Sequence, residues 1–420
     1  MKTTAVRLYG KRDLRLESFT LPDIREDEIL ARVVSDSICM SSHKAAEQGA
    51  AHKRVPNDVA QNPVIIGHEF CGVIEQVGAK WRGDFRPGDR FAIQPAINYQ
   101  GSLDSPGYSF AHIGGAATRI IIPQQVMTQG CLLPYQGEAF FHGSLAEPVS
   151  CIVGAFHAQY HTQRGSYRHE MGIRPDGCMA ILAGAGPMGL GAIDYTLHTS
   201  PRPSLLVVTD IDAQRLARAA ALFSPEAAAR NGMKLVYLNT RQEADPIAAL
   251  MALTGGKGYD DVYVYAPVAP IVEQGDAILG NDGCLNFFAG PVDPAFAAKF
   301  NFYNAHYAST HIVGTSGGNT QDLIECLDLM ARGIINPSAM ITHIGGLDAV
   351  IDTTLNLPSI PGGKKLIYTH IAMPLTALDE LSQGQGWMRE LGAIVAQAGG
   401  LWSPEAEAFL LANAPAIEQA

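Results

Sequence analysis

The stretch CMAILAGAGPMGLGAIDYTLHT restricts the possible folds more than any other part of the chain. An apolar strand runs into glycines at 184, 186 and 189, and a helical pattern follows at once. In this spacing the first glycine permits a tight turn and the second lets a pyrophosphate approach the backbone. The third lets helix and strand pack closely. Free N–H groups at the helix start then hold phosphate, and Pro187 and Met188 belong to the same expected contact set. The next strand, LLVVTD, ends in Asp210, where a ribose 2′-hydroxyl would be bound and a 2′-phosphate repelled. Asp210 could also cap the helix IDAQRLARAAAL. NAD(H) is the expected cofactor, with NADP(H) as the alternative because Arg215 stands close by.

From 178 to about 317, the strands MAILAG, LLVVTD, KLVYL, DVYVYAP, CLNFFAG and HIVGTSG alternate with helical patterns. That alternation means a parallel, doubly wound sheet. From about 4 to 130 the texture differs: short strands such as 28–34, 64–77 and 90–93 are broken by Pro and Gly, with no long amphipathic helix. The expected fold class is α/β, a mostly-β domain plus a Rossmann-type cofactor domain. With 420 residues, 47% of them hydrophobic, the chain can bury a core of two or three domains. Its formal charge of −11 argues against nucleic acid or an anionic membrane as partner. No uncharged apolar run approaches the about 18 residues that cross a bilayer, and the start MKTTAVRLYGKRDLRLES lacks the apolar core of a signal peptide. Seven scattered cysteines, never spaced CxxC, read as a reduced, cytoplasmic protein.

NPVIIGHEFCGVIEQVG raises a different question. An apolar run turns at Gly67, presents His68 and Glu69 side by side, and resumes as Phe70, Cys71, Gly72. Burying either group alone costs several kcal/mol for the carboxylate unless it neutralises. Either they satisfy each other and nearby backbone, or something charged sits between them. SICMSSHK contributes Cys39 and Ser41, and AEPVSC contributes Glu147. One thiolate, one imidazole and one or two carboxylates suit tetrahedral zinc with an open position. By spacing alone, lone Cys and His residues in an apolar setting are core residues more often than ligands.

Here the residues match a family. The chain resembles the zinc-dependent medium-chain dehydrogenases/reductases, especially the sorbitol and polyol dehydrogenase branch. The resemblance covers roughly residues 1–370. It rests on Cys39-Met40-Ser41, Gly67-His68-Glu69 with Gly72 and Val77-Gly78, Pro87-Gly88-Asp89-Arg90, Gly114-Gly115-x-Ala117, Glu147-Pro148, and the glycine motif with Asp210. SDSICMSSHK, NPVIIGHEFCG and AEPVSCIVGAFHAQY are most similar to the group of L-sorbose 1-phosphate reductases within it.

The resemblance implies a GroES-like catalytic domain at 1–155, a Rossmann domain at 156–318, and a return to the catalytic domain at 319–373. Residues 374–420 are left as a helical tail with no assigned role. It also implies that Cys39 and His68 bind zinc with Glu147 or Glu69 as the carboxylate, and that Ser41 takes the substrate proton. Two departures matter. No cysteine lies between Arg90 and Gly130, so the second, structural zinc of many relatives is not expected. The relay histidine five residues after the cysteine is replaced by Lys44, with His43 one position earlier.

The segment 43–54, HKAAEQGAAHKR, concentrates positive charge between Cys39 and His68. It suits a sugar phosphate, with Lys53 and Arg54 as the phosphate candidates, although a solvated loop would look the same. The expected enzyme interconverts a ketose phosphate and a polyol phosphate, namely L-sorbose 1-phosphate and D-glucitol 6-phosphate. An unphosphorylated polyol or secondary-alcohol dehydrogenase is the rival. A zinc-free reductase of the same superfamily would lack the Cys–His–Glu set. A homodimer or homotetramer is expected by resemblance.

Overall fold

The strand Ile29–Ile38 organises the first part of the molecule. Its sequence, ILARVVSDSI, is rich in β-branched residues and buried almost throughout, as a central strand requires. This computed structural model describes residues 1–163 and 165–418. The strand pairs antiparallel with Phe70–Val77, with Lys364–Tyr368 and with Arg119–Ile122. The eight-stranded sheet continues outward through Arg90–Ile93 and Leu132–Pro134 on one side, and through Ile341–Gly346 and Thr376–Ala377 on the other. A register shift between Val33 and Ser35 lies opposite Gly72, where an added Cβ would sit 2.0 Å from the Arg32 carbonyl oxygen. Only glycine allows that approach.

Both principal neighbours run against the central strand, so their N-terminal ends lie beside its C-terminal end. That arrangement gathers the site. Cys39 follows Ile38, His68 and Glu69 precede Phe70, and Lys364 opens its strand.

The chain divides into two compact units. One comprises Met1–Pro148, Asn319–Gly333 and the residues from Pro337 onward; the other comprises Val149–Gly318 and Ile334–Asn336. The division after Pro148 falls inside the helix Phe140–Ala158, slightly before the boundary read from the sequence.

The second unit holds a six-stranded, wholly parallel sheet. Its spatial order is Lys234–Asn239, Leu205–Asp210, Cys178–Leu182, Tyr259–Val264, Leu279–Phe287 and His311–Gly314. Numbered along the chain, this is 3-2-1-4-5-6, the Rossmann order, which places its switch point at the C-terminal end of Cys178–Leu182.

The C-terminal residues pack into the first unit. The helices Trp387–Gln397 and Pro404–Asn413 bury Leu391, Ala406 and Leu410, and the connection between them buries Trp402, in one cluster with Phe141, Leu145 and Tyr368.

Candidate metal centre and dinucleotide site

Cys39 is the N-cap residue of the helix Met40–Gln48. Its Sγ, a ring nitrogen of His68 and a carboxylate oxygen of Glu69 lie within 4.8 Å of one another. His68 is buried, and that burial holds its pKa below the ordinary value despite the Glu147 and Glu69 carboxylates. Its Nδ1 meets the Ser42 hydroxyl at 3.3 Å and the Tyr108 hydroxyl at 3.1 Å. Nε2 lies 3.4 Å from Ser41 Oγ, which donates to Cys39 Sγ at 3.0 Å. Burial, and then the Glu69 carboxylate, push the Cys39 thiol upward. Burial also lifts Glu147 to about 7, against the opposing pull of His68. A thiol, a neutral imidazole, the Glu69 carboxylate and a Glu147 carboxyl raised by burial form an electron-rich set. Their chemistry fits a divalent cation, zinc in particular.

A buried cation bonded directly to one of these donors is a residue that sequence reasoning missed. Lys364 Nζ donates to both carboxylate oxygens of Glu69, at 2.6 and 2.7 Å, and both side chains are buried. Burial opposes the ammonium charge, yet Glu69 and its neighbours outweigh it and hold Lys364 above its ordinary pKa. A sequence signal existed: KKLIY puts two lysines into a wholly buried strand. Alternation turns Lys365 the other way, where its ammonium meets the carbonyls of Pro361 and Gly363 at 2.8 and 2.7 Å. Asp36, also missed, sits under the same turn, against Gly67 at φ +91. Burial, and then Glu69, push its carboxyl well above the usual range.

Tyr108 is the third omission. It is buried, its ring lies 5.0 Å from that of His68, and His52 stacks on it at 5.6 Å. The Arg54 guanidinium lies 5.3 Å from the same ring, and its buried Nε has no hydrogen-bond partner among the described residues. Lys53, its neighbour in the basic stretch, is exposed. Lys44 is half-buried and its pKa is lowered, chiefly by burial. His43 turns away: its Nδ1 meets the Thr354 carbonyl at 2.9 Å.

In the second unit, Gly186 is the N-cap of the helix Pro187–His198 and Pro187 occupies its first turn, with no side chain capping the free N–H groups. A Cβ on Gly189 would fall 1.9 Å from the Gly184 carbonyl oxygen, whereas one on Gly186 meets nothing within 4 Å. The first contact locks helix to strand, and the second leaves the backbone open to a pyrophosphate. A cavity of about 480 Å³ lined by Gly186, Pro187, Met188, Asp210, Arg215 and Tyr265 follows. Asp210 accepts N–H groups from Ala185, Ile211 and Asp212 at 3.2, 2.8 and 3.1 Å. The helix cap is Asp212, which holds Gln214 and Arg215 N–H. Arg215 and Arg241 both line the adjoining groove beyond Asp210.

A cation-ready donor cluster in one unit and a dinucleotide turn in the other define a class: metal-assisted dehydrogenases. Residues 25–132 match the alcohol dehydrogenase GroES-like domain, and 204–332 match the zinc-binding dehydrogenase domain. The chain is 53% identical to L-sorbose 1-phosphate reductase of Klebsiella pneumoniae over 99% of this chain and 98% of that one. It is 52% identical to mannitol-1-phosphate 5-dehydrogenase of Aliivibrio fischeri, over 98% and 97%. Among solved structures, 2R,3R-butanediol dehydrogenase from Bacillus subtilis superposes with a TM-score of 0.70 at 19% identity, covering 87% of this chain and 99% of that one. The chain belongs to the zinc-dependent medium-chain dehydrogenases/reductases, and it is an oxidoreductase of the alcohol dehydrogenase type. Among the described residues, no helix is long and apolar enough to cross a membrane.

Proposed function

We propose that this protein interconverts a ketose phosphate and a polyol phosphate, reducing L-sorbose 1-phosphate to D-glucitol 6-phosphate with NADH. The observation that carries the substrate reading is the position of Arg54. A half-buried guanidinium whose Nε has no partner among the described residues, and which only the Tyr108 ring separates from the His68 imidazole, is placed to take a dianion by charge-assisted bonds. Arg54 is therefore the phosphate anchor, and exposed Lys53 contributes only to the field. The names of both relatives contain a sugar or polyol 1-phosphate, which agrees with this.

Cys39 and His68 would hold one catalytic zinc per subunit, with Glu147 as the third donor. Glu69 is the weaker candidate, because Lys364 already occupies both of its oxygens. When bound, the zinc acts as a Lewis acid on the substrate oxygen while the nicotinamide carries the hydride. Ser41 Oγ, already among the donors, holds the proton that leaves or reaches that oxygen. Half-buried Lys44 is the group through which the proton exchanges with solvent, since His43 is engaged at Thr354. Gly184, Gly186, Pro187, Met188 and Gly189 cradle the pyrophosphate. Asp210 favours NAD(H), and Arg215 admits NADP(H) at lower efficiency. We place the enzyme in the cytoplasm as a homodimer or homotetramer. The edge strand His311–Gly314 and the exposed Phe302, Tyr303 and Tyr307 support the assembly.

The test is steady-state reduction of L-sorbose 1-phosphate and of plain L-sorbose, with oxidation of mannitol 1-phosphate in parallel. Arg54→Ala should cut kcat/KM for the phosphorylated ketose by about 10- to 100-fold, the scale of a lost charge-assisted contact, and leave plain sorbose unchanged. Equal efficiency with plain sorbose would make this an unphosphorylated polyol dehydrogenase. Preference for mannitol 1-phosphate would move the reacting carbon away from the phosphate end.

A further inference from the structure

The helix Phe140–Ala158 carries Glu147 but begins without means of its own to satisfy its first N–H groups. Ala139 precedes it, and its first turn contains no acidic residue. Ala139 and Phe141 are buried and Phe140 is half-buried, so water has little access to these groups. The partner comes from the far end of the chain. Glu407 Oε1 accepts the Phe140 N–H at 2.5 Å, and Oε2 accepts the Phe141 N–H at 2.8 Å.

Glu407 is itself fixed. It is 3% exposed and lies on the helix Pro404–Asn413, which starts on its own Ser403 cap. The Tyr368 hydroxyl donates to Oε2 at 2.8 Å, and the Trp402 indole N–H donates to Tyr368 at 2.7 Å. Tyr368 closes the strand that Lys364 opens, so one carboxylate grips two elements of the metal centre. The helix has little other freedom. Gly143 packs so closely on Cys71 Sγ that a Cβ would lie at 2.4 Å, and Ser144 accepts from Ser35 at 3.0 Å. A carboxylate at a helix N-terminus also meets the positive end of the dipole.

We propose that Glu407 is a positioning residue for the metal centre: the C-terminal segment fixes the start of the helix Phe140–Ala158 and thereby aims Glu147. This rests on the reading of Glu147 as a zinc donor. It gives the segment after 374, which the sequence left without a role, a part in the chemistry.

The experiment compares zinc-loaded wild type with Glu407→Gln and Glu147→Gln. The zinc dissociation constant is read by competition with a chromophoric chelator, alongside kcat and KM well below melting. An amide can accept through one oxygen only, so Glu407→Gln keeps the packing and loses one helix bond. Supporting partners of a metal site typically govern about tenfold or more in affinity or activity. Glu407→Gln is expected to weaken zinc about tenfold and lower kcat with KM for NADH unchanged, a selectivity that general loosening would not produce. Zinc affinity and kcat within twofold of wild type, with Glu147→Gln strongly weakened, would overturn the proposal alone. Unchanged affinity in Glu147→Gln would overturn the reading of the site beneath it. If Glu407→Gln fails to fold, Tyr368→Phe keeps the ring and removes one donor to Glu407. It should weaken zinc about threefold, and an affinity equal to wild type would sink the proposal.

Discussion

Replacing Lys364 with methionine would leave the Glu69 carboxylate buried without its cation. The two side chains are 7% and 1% exposed, so solvent cannot substitute for the ammonium. Breaking such a pair from one side costs about 3–5 kcal/mol. Relief comes by protonation. For a glutamate with a reference pKa of about 4.3, taking up a proton at pH 7 costs about 3.7 kcal/mol, at about 1.36 kcal/mol per unit. The folded variant would hold that proton while the unfolded chain releases it above about pH 4.3, so the deficit grows with pH. It should be about 1.6 kcal/mol at pH 5.5 and about 3.7 kcal/mol at pH 7, the latter about 7–15 °C in Tm for a unit of 150–250 residues. The assay is thermal and urea unfolding of protein freed of divalent cations, so that no ion replaces the ammonium. Lys364→Met with Glu69→Leu, which removes both charges, should return to within about 1 kcal/mol of wild type. A single variant less than about 1 kcal/mol below wild type at pH 7, or a deficit indifferent to pH, would refute the account.

The two glycines of the turn should separate folding from binding. Gly189→Ala drives a Cβ into the Gly184 carbonyl and should cost about 1–3 kcal/mol, read as a lower Tm, together with loss of NADH binding. Gly186→Ala meets no protein atom and should melt as wild type does, yet bind NADH about tenfold more weakly by fluorescence titration. Unchanged NADH affinity there would contradict the pyrophosphate placement. Zinc affinity should rise with pH, because the ion must displace protons from Glu147, at about 7, and from the raised Cys39 thiol. Chelator competition should show a slope near two protons below pH 7 and near one above it, and a flat profile would exclude both donors. Asp210→Ala removes the acceptor of three backbone N–H groups and should raise the NADH KM about tenfold while narrowing the gap between NADH and NADPH.

Much of this was legible in local sequence. The glycine turn is read from consecutive residues because each glycine answers a constraint within one strand–turn–helix unit. His68 and Glu69 stood out because two polar groups interrupted an apolar run. The same reasoning applied to KKLIY would have flagged Lys364, but not its partner 295 residues away. The cap before Gln214 shows the limit at short range. Asp210 and Asp212 are both carboxylates near a helix start, and only the backbone path decides that Asp212 caps it while Asp210 braces the turn.

The sequence by itself determined the parallel cofactor sheet, its phosphate-binding turn and the residue types able to hold a metal. All of these follow from periodicity and adjacency. Only the tertiary structure decided which groups face one another. Antiparallel pairing on both sides of Ile29–Ile38 brings Cys39, Glu69 and Lys364 to one end of the sheet. Folding back of the C-terminal segment sets Glu407 under the helix that carries Glu147. Such contacts depend on burial and register summed over the whole chain, and no window of neighbouring residues contains them.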